Sequence, residues 1–340
     1  MNAAVMPTQS ALETLLDAAF LARAELFDTR HEAAFRLFNG FTEGRPTLAV
    51  DLYAQTLVLH DYSDVPETNG AEMATVQAFY RARLPWVQAV VLKQRRAKEA
   101  AARNGVLTHG TRACRKVREL GVWYAVDLLL NRDASFYLDT QHLRAWALQN
   151  LRGQSVLNAF AYTGSLGVAA QAGGAARVIQ LDLNRAFLNV AKTSYTLNGF
   201  PIHKTDFLAG DFFPLVSQLK RAEARFDCVL LDPPFFAATA KGLVDMQHNY
   251  ARLINKVRPL INDGGTLVAV NNALFVSGAA FLQTLRELCV DGYLAVESLI
   301  PAPADFTGYA ATRVAAEVAD PTPFNHPTKI AVLRVRRKAS

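Results

Sequence analysis

The stretch SVLNAFAYTGSLGVAAQAGGAARVIQLDLN, residues 155–184, decides the fold class. Two short aliphatic runs, SVLNAF (155–160) and RVIQLD (177–182), flank a glycine-bearing turn and a small-residue helical stretch over 164–172. That is the pattern of a strand, a crossover helix and a second, parallel strand. The same alternation continues outward. FDCVLLD (226–232) and GTLVAV (265–270) read as strands, and 184–198, 211–222, 246–261 and 276–289 read as helices. Repeated βαβ units imply a mostly parallel sheet with right-handed connections, and such sheets place ligands outside the carboxyl ends of their strands.

Upstream the texture differs. Residues 9–28 show helical spacing of Leu12, Leu15, Leu16, Ala19, Phe20 and Ala22. TLAVDLYAQTLVLHDY (47–62) reads as a strand pair, 71–84 as a helix, VQAVVLK (87–93) as a buried strand, 104–121 as loop and VWYAVDLLL (122–130) as a strand. The expected organisation is an N-terminal helical segment over 1–30, a small α+β domain over 31–135 and an α/β domain over 136–340. A length of 340 residues fits two domains.

The composition, 51% hydrophobic and 19% charged, excludes wholesale disorder. Three scattered cysteines (Cys114, Cys228, Cys289) offer neither a disulfide framework nor a Cys-based metal site, and the seven histidines lack HExxH-like spacing. No leader pattern and no apolar run of membrane-spanning length occurs. The expectation is a cytoplasmic protein with reduced thiols, without metal or membrane partners. A homodimer stays open.

The net charge of +6 is unevenly placed. Residues 93–118 hold Lys93, Arg95, Arg96, Lys98, Arg103, Arg112, Arg115, Lys116 and Arg118 against Glu99 alone, a local excess of +8 that leaves the rest of the chain at −2. Such a field suits a polyanion. Its plainer reading is a solvated basic surface.

The strand ends gather candidate ligand-binding residues. The first strand runs into Asn158, Phe160, Tyr162, Thr163 and Gly164, with Gly167 beyond. The turn lacks the GxGxxG spacing of a pyrophosphate-binding loop. Asp182, followed by Leu183 and Asn184, ends the second strand, placed to accept from ribose hydroxyls. Asp211 could accept from an adenine amino group while Phe212 packs on the ring. A ribose acceptor and an adenine site without a pyrophosphate loop fit S-adenosylmethionine better than NAD. Taken singly, Asp182 also reads as a helix cap and Gly164 as a turn. The fourth strand ends in Asp232-Pro233-Pro234-Phe235, where rigid prolines could aim a carboxylate and carbonyls at a base edge while Phe235 stacks on its face. Asn271-Asn272 ends the fifth strand and offers amides to a base edge, or simply forms a turn.

These motifs resemble the class I S-adenosylmethionine-dependent methyltransferases of 23S ribosomal RNA, the group of large-subunit methyltransferases I and K. The resemblance runs through FRLFNGFTEGRPTLAVDLY (35–53), VLKQR (91–95), GVWYAVDL (121–128), FYLDTQ (136–141), VLNAFAYTGSLG (156–167), VIQLDLN (178–184), DPPF (232–235) and NN (271–272). It implies a seven-stranded Rossmann-like domain and a cofactor site of Asp139, Asn158, Phe160, Tyr162, Thr163, Gly164, Asp182, Leu183, Asn184, Asp211 and Phe212. Asp232, Pro233, Pro234, Phe235, Asn271 and Asn272 would face the methyl group and the target base. Lys93, Arg95, Arg96, Lys98, Arg112, Arg115 and Lys116 would grip large-subunit ribosomal RNA.

The chain departs from the family in three places. About 30 residues precede the central domain, too few for the PUA domain many relatives carry there. The family's LDQR segment reads Leu138-Asp139-Thr140-Gln141, so the arginine contact is absent unless Arg144 substitutes. Asn271-Asn272 stands where 5-methylcytosine enzymes have a cysteine. Carbon-5 methylation needs a thiolate to attack the neighbouring carbon, and no cysteine is well placed for it. A base nitrogen is therefore expected as target, guanine N7 first. The alternatives are a small-molecule or protein methyltransferase, and an RNA-binding factor with a vestigial pocket.

Overall fold

The computed structural model describes residues 9–239, 242–245, 249–316 and 320–337. Residues 246–248, expected to open a helix, and the first eight residues of the N-terminal segment lie outside them. The chain forms two compact units: Met1–Leu138 with Ala304–Glu317, and Asp139–Pro303 with Val318–Ser340.

In the first unit, α1 (Gln9–Ala22) is followed by β1 (Ala34–Asn39), the single-turn α2 (Gly40–Glu43), β2 (Leu48–Tyr53), β3 (Thr56–Asp61), α3 (Gly70–Arg83), β4 (Ala89–Gln94), α4 (Ala100–Asn104), β5 (Val106–His109), β6 (Lys116–Glu119) and β7 (Val122–Ala125). Strands β1 to β5 form one sheet in chain order, with β3 and β4 parallel and the other pairs antiparallel. β6 and β7 form a separate hairpin. Residues 104–121, expected as loop, thus contain two strands, and the strand expected over 122–130 stops at Ala125. Leu12, Leu16 and Ala19 of α1 join Phe35, Leu37, Val50, Leu59, Val76 and Tyr80 in one core. Each fully buried leucine there contributes about 1.5–3 kcal/mol.

A buried ion pair ties the sequence-distant Ala304–Glu317 segment into this unit. Arg23 donates to both carboxylate oxygens of Glu43 (2.8 and 3.1 Å) and to the Asp305 carbonyl (3.3 Å). Asp305 in turn accepts from the Arg36 N–H (2.8 Å), and the Phe306 carbonyl accepts from Asn39 (2.6 Å). Removing one partner would strand a buried charge, so the network locks the segment in place.

The second unit contains α5 (Gln141–Asn150), β8 (Ser155–Ala159), α6 (Ser165–Ala172), β9 (Arg177–Asp182), α7 (Arg185–Leu197), β10 (Phe207–Ala209), α8 (Phe212–Arg221) and β11 (Phe226–Leu231). It continues with β12 (Phe236–Thr239), β13 (Gly242–Asp245), α9 (Tyr250–Val257), β14 (Ile261–Asn271), α10 (Gly278–Cys289), β15 (Leu294–Ile300) and β16 (Lys329–Val335). Its seven-stranded sheet has the order β10-β9-β8-β11-β14-β16-β15, parallel except for antiparallel β16. Alternation along the strands fills two cores. Leu157, Ile179, Val229, Leu231 and Leu267 meet residues of α8, α9 and α10. Val156, Val178, Cys228, Leu230 and Val268 meet residues of α5 and α6. Burial on both faces explains why these strands read as continuous apolar runs. The order reverses between β8 and β11, so the crevice that open sheets use for ligands lies at their carboxyl ends.

Candidate active site

Several independent constraints shape the turn after β8. Phe160 and Tyr162 have φ of +60° and +52°, left-handed backbone that costs a bulky residue about 1–2 kcal/mol. A Cβ on Gly164 (φ +78°) would sit 2.5 Å from the Ala191 Cβ, and one on Gly167 would sit 2.2 Å from Gln180 Nε2. The turn therefore requires glycine at both positions, one for packing on α7 and one for the approach of α6 to β9. Asp182 closes it from the next strand. One carboxylate oxygen accepts from the Tyr162 N–H (2.7 Å) and the other from the Asn184 N–H (2.8 Å). Burial nevertheless raises its pKa, opposed by those two bonds. Each oxygen keeps lone-pair capacity for a ribose hydroxyl.

Asn158 donates to Gln180 Oε1 (2.8 Å), while its own buried Oδ1 has no hydrogen-bond partner among the described residues. An orphaned acceptor at the carboxyl end of the first strand, beside a strained turn and a tethered acidic residue, fits an ordered ligand carrying donors. Gln180, fully buried and reaching towards the Gly164 carbonyl (3.4 Å), is a supporting residue that sequence reading passed over. Its signal was a polar side chain inside an otherwise apolar central strand.

Other expected cofactor residues are placed differently. Asp211 caps α8, accepting from the Phe213 N–H (2.9 Å), and Asn184 caps α7, accepting from the Ala186 N–H (2.8 Å). Phe212 is buried and stacks on Phe160 at 4.5 Å, so it shapes the wall behind Phe160 rather than presenting an open face. Thr163 is buried and Leu183 is 67% exposed. Arg144 is fully buried and donates to Thr140 Oγ1 (2.9 Å) within its own helix region.

Asp232 stands at the end of β11, its N–H donating to the Ala159 carbonyl (3.4 Å). That bond sets the DPPF segment against the strand that leads into the glycine-bearing turn. Desolvation and the negative charge of Asp139 push its carboxyl up to about 7. Asp139 is itself held by Thr328, whose hydroxyl donates to it. Buried Tyr250 donates to the Val270 carbonyl (2.9 Å), and the Asp232 charge helps to keep its phenol neutral. Pro233 is buried, while Pro234 and Phe235 are exposed. Asn271 is buried and its Oδ1 accepts from the Ala273 N–H (3.0 Å), a turn-forming role. The Asn272 Oδ1 atom is buried and has no partner among the described residues.

No thiol is activated. Burial holds Cys228 far above the usual range in the core, pushes Cys114 up to about 12, and raises Cys289. Among the described residues, no group of three or more His, Cys, Asp or Glu could hold a metal ion, and no helix is long and apolar enough to cross a membrane.

The basic stretch in the first unit divides by accessibility. Lys93, expected on the RNA-gripping surface, is a correction: it is fully buried, its ammonium donating to the carbonyls of Asn104, Asn131 (2.9 Å) and Asp133 (3.4 Å). Desolvation and Arg95 lower its pKa to about 8. Arg95 is half-buried and paired with Asp133 (3.0 Å). Arg96, Lys98, Arg112, Arg115 and Lys116 are exposed, Arg96 pairing with Asp64 and Lys116 lying 4.0 Å from the centre of the Trp123 ring. The second unit has cations of its own. A groove of about 430 Å³ is lined by Phe213, Pro214, Ser217, Arg221, Arg252 and Lys256, with no acidic residue among them.

The profile of the S-adenosylmethionine-dependent methyltransferases matches residues 71–309. The chain belongs to this family. S-adenosylmethionine is therefore the methyltransferase's cofactor, and the turn after β8 with Asp182 suits it. The ribosomal RNA large subunit methyltransferase I of Aliivibrio fischeri is 28% identical over 270 residues, 77% of this chain and 67% of its own. The protein of that name from Vibrio cholerae is 29% identical over 81% of this chain and 70% of its own. In fold, the methyltransferase resembles SMU.776, crystallised with S-adenosylhomocysteine, at a TM-score of 0.83 and 20% identity, covering 98% of this chain and 83% of that one. An S-adenosylmethionine-dependent methyltransferase from Streptococcus mutans gives 0.81 at 20% identity over the same shares.

Proposed function

We propose that this methyltransferase modifies a base nitrogen of large-subunit ribosomal RNA, guanine N7 being the preferred target. The carrying observation is the pair of carboxyl side chains at the DPPF end of the crevice, Asp232 and Asp139, in a site without an activated thiol. S-adenosylmethionine supplies an electrophilic methyl group on a positively charged sulfur. The chain's part is to hold the acceptor nitrogen in line with that methyl and to stabilise charge where it develops. Guanine N7 has a free lone pair and no proton to lose, and its methylation leaves the ring cationic. A desolvated carboxylate whose pKa is raised by a second carboxylate gains most from a cation arriving beside it. An exocyclic amine is the second reading, favoured by the DPPF spelling, since Asp232 and a proline carbonyl could accept its protons.

Asn158, Phe160, Tyr162, Gly164 and Asp182 would hold the cofactor, Asp182 through the ribose. Phe235 would stack on the target base. The exposed Arg96, Lys98, Arg112, Arg115 and Lys116, with Arg221, Arg252 and Lys256, suit a polyanionic substrate. The relatives' name, ribosomal RNA large subunit methyltransferase I, supports large-subunit RNA as that polyanion. The test is to incubate the protein with radiolabelled S-adenosylmethionine and total RNA from cells lacking the gene. Label should enter large-subunit RNA. Label confined to protein or small molecules would overturn the reading.

A further inference from the structure

β14 ends beside the DPPF segment, and the loop that follows is held at its base by buried polar groups. Asn271 is buried and its side chain caps the Ala273 N–H (3.0 Å). Ala273 is buried too, and its carbonyl accepts from the Lys329 ammonium (3.1 Å), a lysine that is itself buried and also bonds the Pro327 carbonyl. The Val276 N–H returns to the Ala273 carbonyl (3.3 Å), and Val276 packs against the main core. Ser277 then caps α10 through the Ala280 N–H (3.0 Å). Between these fixed points the chain presents Leu274 and Phe275, 71% and 76% exposed. Exposing two adjacent large apolar side chains forgoes the free energy that burying them would give. Here the backbone beneath them is pinned by a buried amide and a buried ammonium. The Phe275 ring lies 6.1 Å from that of Phe235, tilted by 54°, so the exposed pair continues directly from the DPPF motif.

We infer that Leu274-Phe275 is a stacking wedge for the RNA substrate, Phe275 entering the base stack next to the target nucleotide while Phe235 receives the extruded base. The inference rests on the proposed RNA-base activity and deepens it. A base inside a stacked strand cannot reach Asp232. Drawing it out leaves a gap that an aromatic or aliphatic side chain can fill. A flat ring on a firmly based loop, in contact with the ring of the catalytic motif, supplies that filler without an ordering cost. It also gives Asn271 a different task from base recognition: it shapes the loop that carries the wedge.

The experiment uses the full chain with undermethylated large-subunit RNA as probe and compares Phe275→Ala, Phe275→Leu and Phe275→Trp, with S-adenosylhomocysteine binding measured on each. Stacking on one base predicts a loss of about 10- to 100-fold in kcat/KM for Phe275→Ala. It also predicts little rescue by Phe275→Leu, near-full activity for Phe275→Trp, and unchanged S-adenosylhomocysteine affinity throughout. The added indole of Phe275→Trp should be quenched when RNA binds, relative to the unsubstituted protein. Unchanged kinetics for Phe275→Ala on an RNA that the unsubstituted protein methylates would overturn the wedge while leaving the activity standing. A shift in oligomeric state with unchanged RNA kinetics would give the patch to a second copy and overturn it too. If the unsubstituted protein methylates no RNA, the substrate reading falls first and the wedge with it.

Discussion

The two ends of the crevice are built on opposite plans. At the turn after β8, strain is absorbed and polar groups are tied down: Phe160 and Tyr162 occupy left-handed backbone, Gly164 and Gly167 admit no side chain, and each oxygen of Asp182 takes a backbone N–H. At the ends of β11 and β14, tension is left on display. Asp232 is desolvated beside another carboxylate, and Phe235, Leu274 and Phe275 face outward. The first plan suits a small ligand of constant shape that must be bound identically each time. The second suits a large substrate that supplies the missing charge and apolar cover on arrival.

This contrast can be broken most decisively at Asp232. Asp232→Asn should lower methyl transfer at least 100-fold, the scale of losing an electrostatic group aimed at developing charge. The same variant should be more heat-stable above pH 7. The folded-state pKa of about 7 lies above the ordinary 3.8, so the native state holds the proton more tightly and stability falls as pH rises between those values. Thermal melts at pH 8 and pH 4 should show the gain only at pH 8. Asp182→Ala comes next: two ribose hydrogen bonds to a charged acceptor predict roughly 10- to 100-fold weaker S-adenosylhomocysteine binding by calorimetry.

A smaller effect concerns the first unit. Replacing Arg112, Arg115 and Lys116 by Gln should leave cofactor affinity unchanged and reduce the slope of log RNA affinity against log salt by about 2, the value for three single-strand phosphate contacts. Lys93→Gln should instead destabilise the fold, because it removes a buried donor from the carbonyls of Asn131 and Asp133. The smallest effect is at Asp139. Deprotonation of Asp232 should make activity rise with pH through about 7, and Asp139→Asn should move that midpoint to lower pH by removing the charge that opposes ionisation.

The parallel strands of the second unit were legible because burial on both faces leaves unbroken aliphatic runs, as in RVIQLD and FDCVLL. The position of Asp182 and Asp232 at strand ends was legible because the apolar runs stop there. What escaped depends on partners far along the chain. Lys93 reads as a basic residue among others until the carbonyls of residues 104, 131 and 133 close around it. Phe212 reads as a ring beside a carboxylate until Phe160 covers it. The Ala304–Glu317 segment reads as part of the second unit, yet Arg23, Arg36 and Asn39, some 270 residues earlier, draw it into the first. β15 and β16 were missed because β15, at the sheet edge, carries exposed Glu297 and Ser298 in mid-strand, and β16 is interrupted by Arg334.

The most direct test of the central claim is the chemical identity of the methylated nucleoside. Large-subunit RNA labelled by this protein, digested to nucleosides and resolved by mass spectrometry, should carry its new methyl group on a base nitrogen, as 7-methylguanosine. Label in 5-methylcytidine would contradict the account, because it would require a thiolate nucleophile in a chain whose three thiols all have raised pKa values.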